Sequence, residues 1–251
     1  MEDTKRQTAV DAFTHLDMSV VDPIADLQSR MAAAAVDRAL VVETWSGDNR
    51  HCLDTIANSA IPEFRVALCY RPELKDPEFL AADRIVALRV KTSDLVDLGK
   101  VGDGLQASGK WLMVHAENGI GGLTNELGKV ARQFPQLKIY VPHLAWPRRD
   151  GVDDPNWGES IAALSRIPGL VLGISAMAHF SRESFPHRDV EGLASQAVQL
   201  FPSERVAVAS DYPLFEKSLY GEYMRLAEDW VRSIHPNWST AVESAIFNPR
   251  G

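Results

Sequence analysis

The stretch "RVAVASDYP" (Arg205–Pro213) decides how this chain is read. An unbroken apolar run, Val206 to Ala209, gives way at once to Ser210 and Asp211. A run without polar alternation is how a parallel strand covered on both faces reads. The polar pair at its end stands where an α/β barrel carries its chemistry. Seven other stretches share the pattern: "TAVDAF" (8–13), "ALVVETW" (39–45), "FRVALCY" (64–70), "IVALRVKT" (85–92), "KWLMVHAE" (110–117), "KIYVPHLAW" (138–146) and "LVLGISAM" (170–177).

Helical patterns lie between these runs. "DPIADLQSRMAAAAVDR" offers Asp22 as N-cap and Pro23 at the first helical position. "GLTNELGKVARQFP" and "DVEGLASQAVQLFP" each stop at a proline. "SLYGEYMRLAEDWVRSI" follows the eighth run, and "STAVESAIFN" is read as a last helix capped by Ser239. Eight strand–helix units in 251 residues are the size of a (β/α)8 TIM barrel. No Gly/Ser-rich linker divides the chain, so residues 1–251 are expected to form a single α/β domain. A doubly wound open sheet is the alternative, but it gives no reason for polar residues at nearly every strand end.

Composition narrows the function classes. The hydrophobic share of 45% is ordinary for a globular core, and the net charge of −8 comes without a long basic run. Nucleic acid is therefore not an expected partner, since phosphate binding needs clustered Lys and Arg. No apolar run reaches the about 18 residues that span a membrane, and "MEDTKRQTAV" lacks an apolar signal core. Cys52 and Cys69 form no CxxC, which points to a reduced, cytoplasmic setting.

The strand ends carry Asp11, Phe13 and His15; Glu43; Tyr70 and Arg71; Arg89 and Lys91; His115 and Glu117; His143; Ser175; and Asp211. Imidazoles and a carboxylate converging from several strands can hold a divalent ion with an open position for water. An unligated aspartate can instead take a proton from water as general base. Arg89 and Lys91 flank Val90, so one faces the barrel and needs a carboxylate, either Glu43 or one on the substrate.

At these positions the sequence resembles the amidohydrolase-related family of TIM barrels, and within it the branch of 2-pyrone-4,6-dicarboxylate hydrolase and sugar lactonases. "VDAFTHLD" stands where the family has Asp-x-His-x-His, and "ALVVETWSGDNRHCLDTI" resembles its second strand and following turn. "RIVALRV" resembles the segment whose arginine meets substrate carboxylates. "IYVPHLAWP" and "RVAVASDYP" resemble the Asp-His-x-Gly-x-Pro and Gly-Ser-Asp-(Trp/Tyr)-Pro segments.

The resemblance implies Asp211 as the base, with His143 and His15 activating the carbonyl, and Arg89, Arg148, Arg182 and Tyr212 around an anionic small-molecule substrate. It also implies at most one zinc or manganese ion on His15, His115, His143 and Asp211, or a metal-free mechanism. Phe13 replaces the first histidine of the strand-one pair, Pro142 the aspartate before His143, and Ala145 the glycine after it. A binuclear centre is not expected. The resulting expectation is a hydrolase of a carboxylated lactone or cyclic ester. A metal-dependent decarboxylase and a barrel that binds without turnover are the alternatives, and barrels of this kind often form homodimers.

The loops "PRRDG" (147–151) and "HFSRESFPHRD" (179–189) are basic, and Arg148, Arg182, His179 and His187 could form a cationic rim. "NGIGG" (118–122) lacks the Lys-Ser/Thr of a phosphate loop and reads as a tight turn. Trp146 and Trp157 bracket the sixth loop, where they could line a pocket or pin the loop.

Overall fold

In a computed structural model of the chain, the described residues are 9–58, 61–71, 81–116, 119–121, 123–149 and 152–248, with Val96 and Asp97 described by backbone alone. The eight apolar runs all form strands: β1 (Val10–Thr14), β2 (Arg38–Val42), β3 (Phe64–Cys69), β4 (Ile85–Lys91), β5 (Trp111–His115), β6 (Lys138–Val141), β7 (Leu170–Ile174) and β8 (Val206–Val208). Every pairing in this sheet is parallel, and spatial order follows chain order from β1 to β8. An open doubly wound sheet would change direction partway, so the barrel reading holds.

Closure is made by polar groups. The Asp11 carboxylate accepts from the Ser210 N–H at 2.9 Å, the Ser210 hydroxyl at 2.6 Å and the Tyr220 hydroxyl at 3.0 Å. Above it the Asp211 N–H donates to the Phe13 carbonyl at 3.0 Å, and the His15 N–H to the Tyr212 carbonyl at 2.6 Å. The first and last strands are thus stitched together at the end that carries the chemistry. β1 slips its register against β2 between Asp11 and Thr14. Such a bulge re-aims side chains next to a site, and here it leaves the Phe13 and His15 rings in edge-to-face contact.

Helices pack outside: α1 (Pro23–Ala34), α2 (Arg50–Asn58), α3 (Gly99–Ser108), α4 (Leu123–Gln133), α5 (Trp157–Leu164), α6 (Met177–Phe180), α7 (Arg188–Leu200), α8 (Tyr220–Ile234) and α9 (Ala241–Phe247). Asp22 caps α1 as the sequence predicts, its carboxylate accepting from the Ala25 N–H at 3.0 Å. The expected Ser239 cap is corrected. Thr240 precedes α9, and neither side chain caps it. A chain that turns into a helix behind the Trp238 anchor needs no hydroxyl there: the indole N–H of Trp238 already ties the segment to the Val206 carbonyl at 2.9 Å. α9 sends Val242 and Ile246 into the barrel lumen beneath Phe13, Met113 and Tyr140, closing that end. Among the described residues no helix is long and apolar enough to cross a membrane.

Burial raises the Asp11 carboxyl from 3.8 to about 6, against the pull of its four hydrogen bonds. Between those pH values the native chain keeps a proton that the unfolded chain has released. The contribution of Asp11 to stability is therefore full below pH 3.8 and lost as pH rises through about 6. Asp11→Ala, which removes the acceptor of four buried donors, is expected to lower the unfolding free energy by about 3 kcal/mol in urea titrations. Asp11→Asn should lack the wild-type fall in stability across that window. A change of under about 0.5 kcal/mol for Asp11→Ala would contradict this account of closure.

Candidate active site

The strand ends meet in a pocket of about 270 Å³ whose lining includes His15, Arg89, His115, His143, His179 and Asp211, with Trp45 and Trp146 among the walls. Asp211 follows β8 in the left-handed region, with φ +62°. Its conformation aims a fully buried carboxylate into the ring of strand ends. No helix starts at Asp211. Its carbonyl only closes a turn with the Leu214 N–H. Oδ2 lies 3.3 Å from His179 Nε2, and Oδ1 lies 3.9 Å from His143 Nε2 with no hydrogen-bond partner among the described residues. Burial alone would raise this carboxyl, but His143, His179 and His15 outweigh it and hold it below its ordinary value. Asp211 is an ionised acceptor with Oδ2 engaged by His179 and Oδ1 buried without a partner among the described residues.

His143 stands at the start of an unusual turn. The run read as a long strand, "KIYVPHLAW", leaves the sheet at Val141, and His143, Leu144, Ala145 and Trp146 all have positive φ, between 51° and 60°. Non-glycine residues avoid this region because Cβ crowds the following carbonyl, at about 1–2 kcal/mol each. Strain of this kind concentrates at functional sites. Here the turn is held by bonds to its neighbours. Ser175 Oγ meets both the His143 N–H, at 3.2 Å, and Nδ1, at 2.9 Å, and the Trp157 indole N–H donates to the Leu144 carbonyl at 2.9 Å. Trp157 pins the loop while Trp146 lines the pocket, dividing the two roles the sequence left open.

Three of the pocket histidines are neutral at physiological pH. Burial first, and Arg89 after it, bring His15 down to about 4 and His115 to about 2. Burial brings His143 to about 3 despite Asp211. His179, half-exposed, is raised instead, chiefly by its bond to Asp211. Tautomers follow from the partners. His15 Nδ1 donates to the Val42 carbonyl at 2.7 Å, leaving Nε2 as acceptor. His115 Nδ1 faces the Arg89 guanidinium at 3.3 Å and must accept, which puts its proton on Nε2.

Arg89 is the fixed positive charge of the pocket. Its guanidinium also donates to the Glu43 carbonyl at 3.0 Å and lies over the Trp45 and Phe13 rings. The Glu43 carboxylate is not its counter-ion. That group holds the Cys69 N–H at 2.7 Å and Arg71 at 2.6 Å.

The residues present fit a metal ion poorly. Among the described residues no three His, Cys, Asp or Glu side chains are grouped to hold one. The Phe13 ring packs edge-on against both His15 and His143, with centroids 5.2 and 4.4 Å apart. His115 turns its lone pair to a guanidinium. The ligand set that the resemblance implies, His15, His115, His143 and Asp211, therefore converges around an aromatic ring and beside a cation, where a second cation would be repelled.

Several expected residues stand elsewhere. Arg148 is buried and tied to Asp153, to Asp189 at 2.8 Å and to the Phe180 carbonyl, so it joins the two basic loops to each other and lies outside the pocket lining. Arg182 reaches Asp153 at 3.4 Å on the surface. Tyr212 turns away, its hydroxyl donating to Asp26 at 2.6 Å under Arg30. His187 is locked between the Tyr223 hydroxyl and the Glu183 carbonyl. Glu117 lies outside the described residues. The cationic rim thus reduces to His179, whose contact with Asp211 the sequence did not suggest. Trp45 went unread because it closes an apolar run and looks like core.

A parallel eight-stranded barrel thus carries a carboxylate, neutral imidazoles and an arginine together at its strand ends. Residues 109–229 match the family model Amidohydro_2, described as amidohydrolase. The resemblance to the amidohydrolase-related family read from the motifs is borne out over that span. Solved structures of the same fold include a protein of Agrobacterium tumefaciens (18% identity, 96% of each chain, TM-score 0.73). They also include a candidate 2-pyrone-4,6-dicarboxylic acid hydrolase from Pseudomonas putida (16% identity, 98% of this chain and 99% of that one, TM-score 0.74). A third, from Acinetobacter baumannii, is described as a probable enzyme of the same activity and holds citric acid (14% identity, 96% of this chain and 98% of that one, TM-score 0.74). No curated protein matches the sequence.

The crowding by Phe13 and Arg89 has a measurable consequence. Protein incubated with excess zinc and passed through a desalting column is expected to retain well under one equivalent per chain. A tightly held stoichiometric ion would contradict this reading of the donor set.

Proposed function

We propose that the chain is a metal-independent hydrolase that opens a small lactone or related cyclic ester bearing a carboxylate. The observation that carries this reading is the Asp211 carboxylate: buried, held below its ordinary value, engaged by His179 through Oδ2, and with Oδ1 unpartnered among the described residues beside His143. A water at the Asp211 carboxylate loses its proton to it as the water oxygen attacks the ester carbonyl. Negative charge then develops on the carbonyl oxygen. The Nε2–H of neutral His115 and the Arg89 guanidinium are donors in the same pocket, at fixed positions and away from bulk water. Collapse breaks the bond to the ring oxygen, which takes the proton back from Asp211 and leaves a hydroxy acid. Lactone and water are consumed in equal number, and the carboxylate base is restored.

The substrate carboxylate is placed on the β2–β4 side. Arg89 and Lys91 both lie over the Trp45 ring there, opposite the Asp211 side of the pocket. The pocket is small, which suits a single ring with short substituents. The activity named for the Pseudomonas putida structure and the citric acid in the Acinetobacter baumannii structure are consistent with a compact oxygen-rich acid. These likenesses carry the fold, and the substrate is argued from Asp211 and Arg89.

Asp211→Asn, which keeps the shape and removes the base, is expected to cut kcat by about a thousandfold with the melting temperature little changed. Full activity in that variant would sink the mechanism. Because Asp211 is held below its ordinary value of 3.8, the acid limb of kcat/KM should fall below that pH. A limb above it would assign the base to another group.

A further inference from the structure

A carboxylate that takes a proton must be aimed, and Asp211 is aimed by one neighbour. Its backbone is fixed by the bond from its N–H to the Phe13 carbonyl, but that bond leaves the carboxylate free to turn about its last torsion. His143 Nε2, 3.9 Å from Oδ1, stands beyond hydrogen-bond reach. His179 Nε2, 3.3 Å from Oδ2, is the one donor within reach of the carboxylate among the described residues. An ionised carboxylate only accepts, so His179 carries its proton on Nε2.

The imidazole is delivered by a turn that needs outside support. α6 has four residues, Met177–Phe180, and so short a helix is marginal alone. Its entry residue, Ala176, has φ +62°. Buried Arg148 anchors the exit. Its guanidinium donates to the Phe180 carbonyl, one residue past His179, and to Asp189 at 2.8 Å. Asp189 in turn accepts from the Arg182 N–H at 3.0 Å and from the Ser181 hydroxyl. A buried ion pair is weak as a source of stability, and here both members grip the same turn. The Trp146 ring lies against His179, with 29° between the ring planes, and limits its swing.

We propose that His179 is the positioning residue of the base: its Nε2–H holds Oδ2, so that the Asp211 carboxylate meets the attacking water in one orientation, and Arg148 with Asp189 holds the turn that carries the imidazole. The assignment rests on the reading of Asp211 as the base. It gives Arg148, expected at the substrate from the sequence, a place two steps behind the chemistry. Nothing is transferred through His179, and the bonds made and broken remain those at Asp211, the water and the ester.

Two variants of the full-length protein test this. His179→Ala removes the donor, whereas His179→Gln places an amide N–H near the position of Nε2. On 2-pyrone-4,6-dicarboxylate, or another carboxylated lactone that the wild type opens, His179→Ala is expected to lower kcat about a hundredfold with KM changed by less than about threefold. The loss is smaller than in Asp211→Asn because the base remains. His179→Gln should recover at least about tenfold of it. A kcat for His179→Ala within about threefold of wild type, a loss that falls on KM instead, or a glutamine variant no faster than the alanine variant would overturn the assignment. Crystal structures of wild-type and His179→Ala protein decide it without turnover. The carboxylate plane of Asp211 should rotate in the variant while Phe13 and His143 stay in place, and an unrotated carboxylate overturns the assignment. Failure of the wild type to open any carboxylated lactone would refute the hydrolase reading, and a rotated carboxylate would still uphold His179 as the group that orients Asp211.

Discussion

The site depends on one buried carboxylate that is not part of it. Asp11 gathers two donors from Ser210 and one from Tyr220, and so fastens the last strand and the helix after it to the first strand. Two of the groups that line the pocket are placed from that seam. One residue beyond Ser210 is the left-handed Asp211, and four beyond Asp11 is His15. The backbone bonds from Asp211 to Phe13 and from His15 to Tyr212 repeat the closure one layer higher. Parallel strands alone would close the barrel without fixing these two side chains relative to one another.

The second constraint is electrostatic. A metal in such a barrel would supply positive charge and a bound water. Here Arg89 supplies the charge, held by the Glu43 carbonyl and His115 and flanked by the Trp45 and Phe13 rings. Its presence, with burial, keeps the neighbouring imidazoles neutral. Neutral histidines can accept or donate a hydrogen bond without competing with Asp211 for charge. His179, at the half-exposed side, is the histidine whose proton affinity rises, and it does so because it touches Asp211. The pocket thus has a cationic wall on β2–β4 and an anionic carboxylate on β8, the polarity on which the proposed carboxylated substrate rests.

Much of this was legible in the sequence, and the limits have a physical pattern. The strands and the ring of His15, Arg89, His115, His143 and Asp211 follow from hydrophobic runs and from the rule that polar strand ends meet. Phe13 announced the difficulty of a metal site by its chemistry alone. Arg148, Arg182 and Tyr212 were placed at the substrate because they follow the right strands. Their long side chains instead reach acids that loops and helices bring near, Asp153, Asp189 and Asp26, and no spacing rule shows such partners. The four left-handed residues from His143 to Trp146 were equally hidden, since their conformation is imposed by Ser175 and Trp157 from other segments. Trp45 was hidden for the opposite reason: it continues an apolar run, and only its unmet indole N–H sets it apart from core.

The central claim is that Asp211 activates water for ester hydrolysis without a metal. It is tested most directly by turnover of carboxylated lactones in heavy-oxygen water after thorough treatment with a strong chelator. The account predicts unchanged rates and one heavy oxygen in the newly formed carboxylate of the product. Activity that disappears with the chelator and returns with zinc or manganese would contradict it.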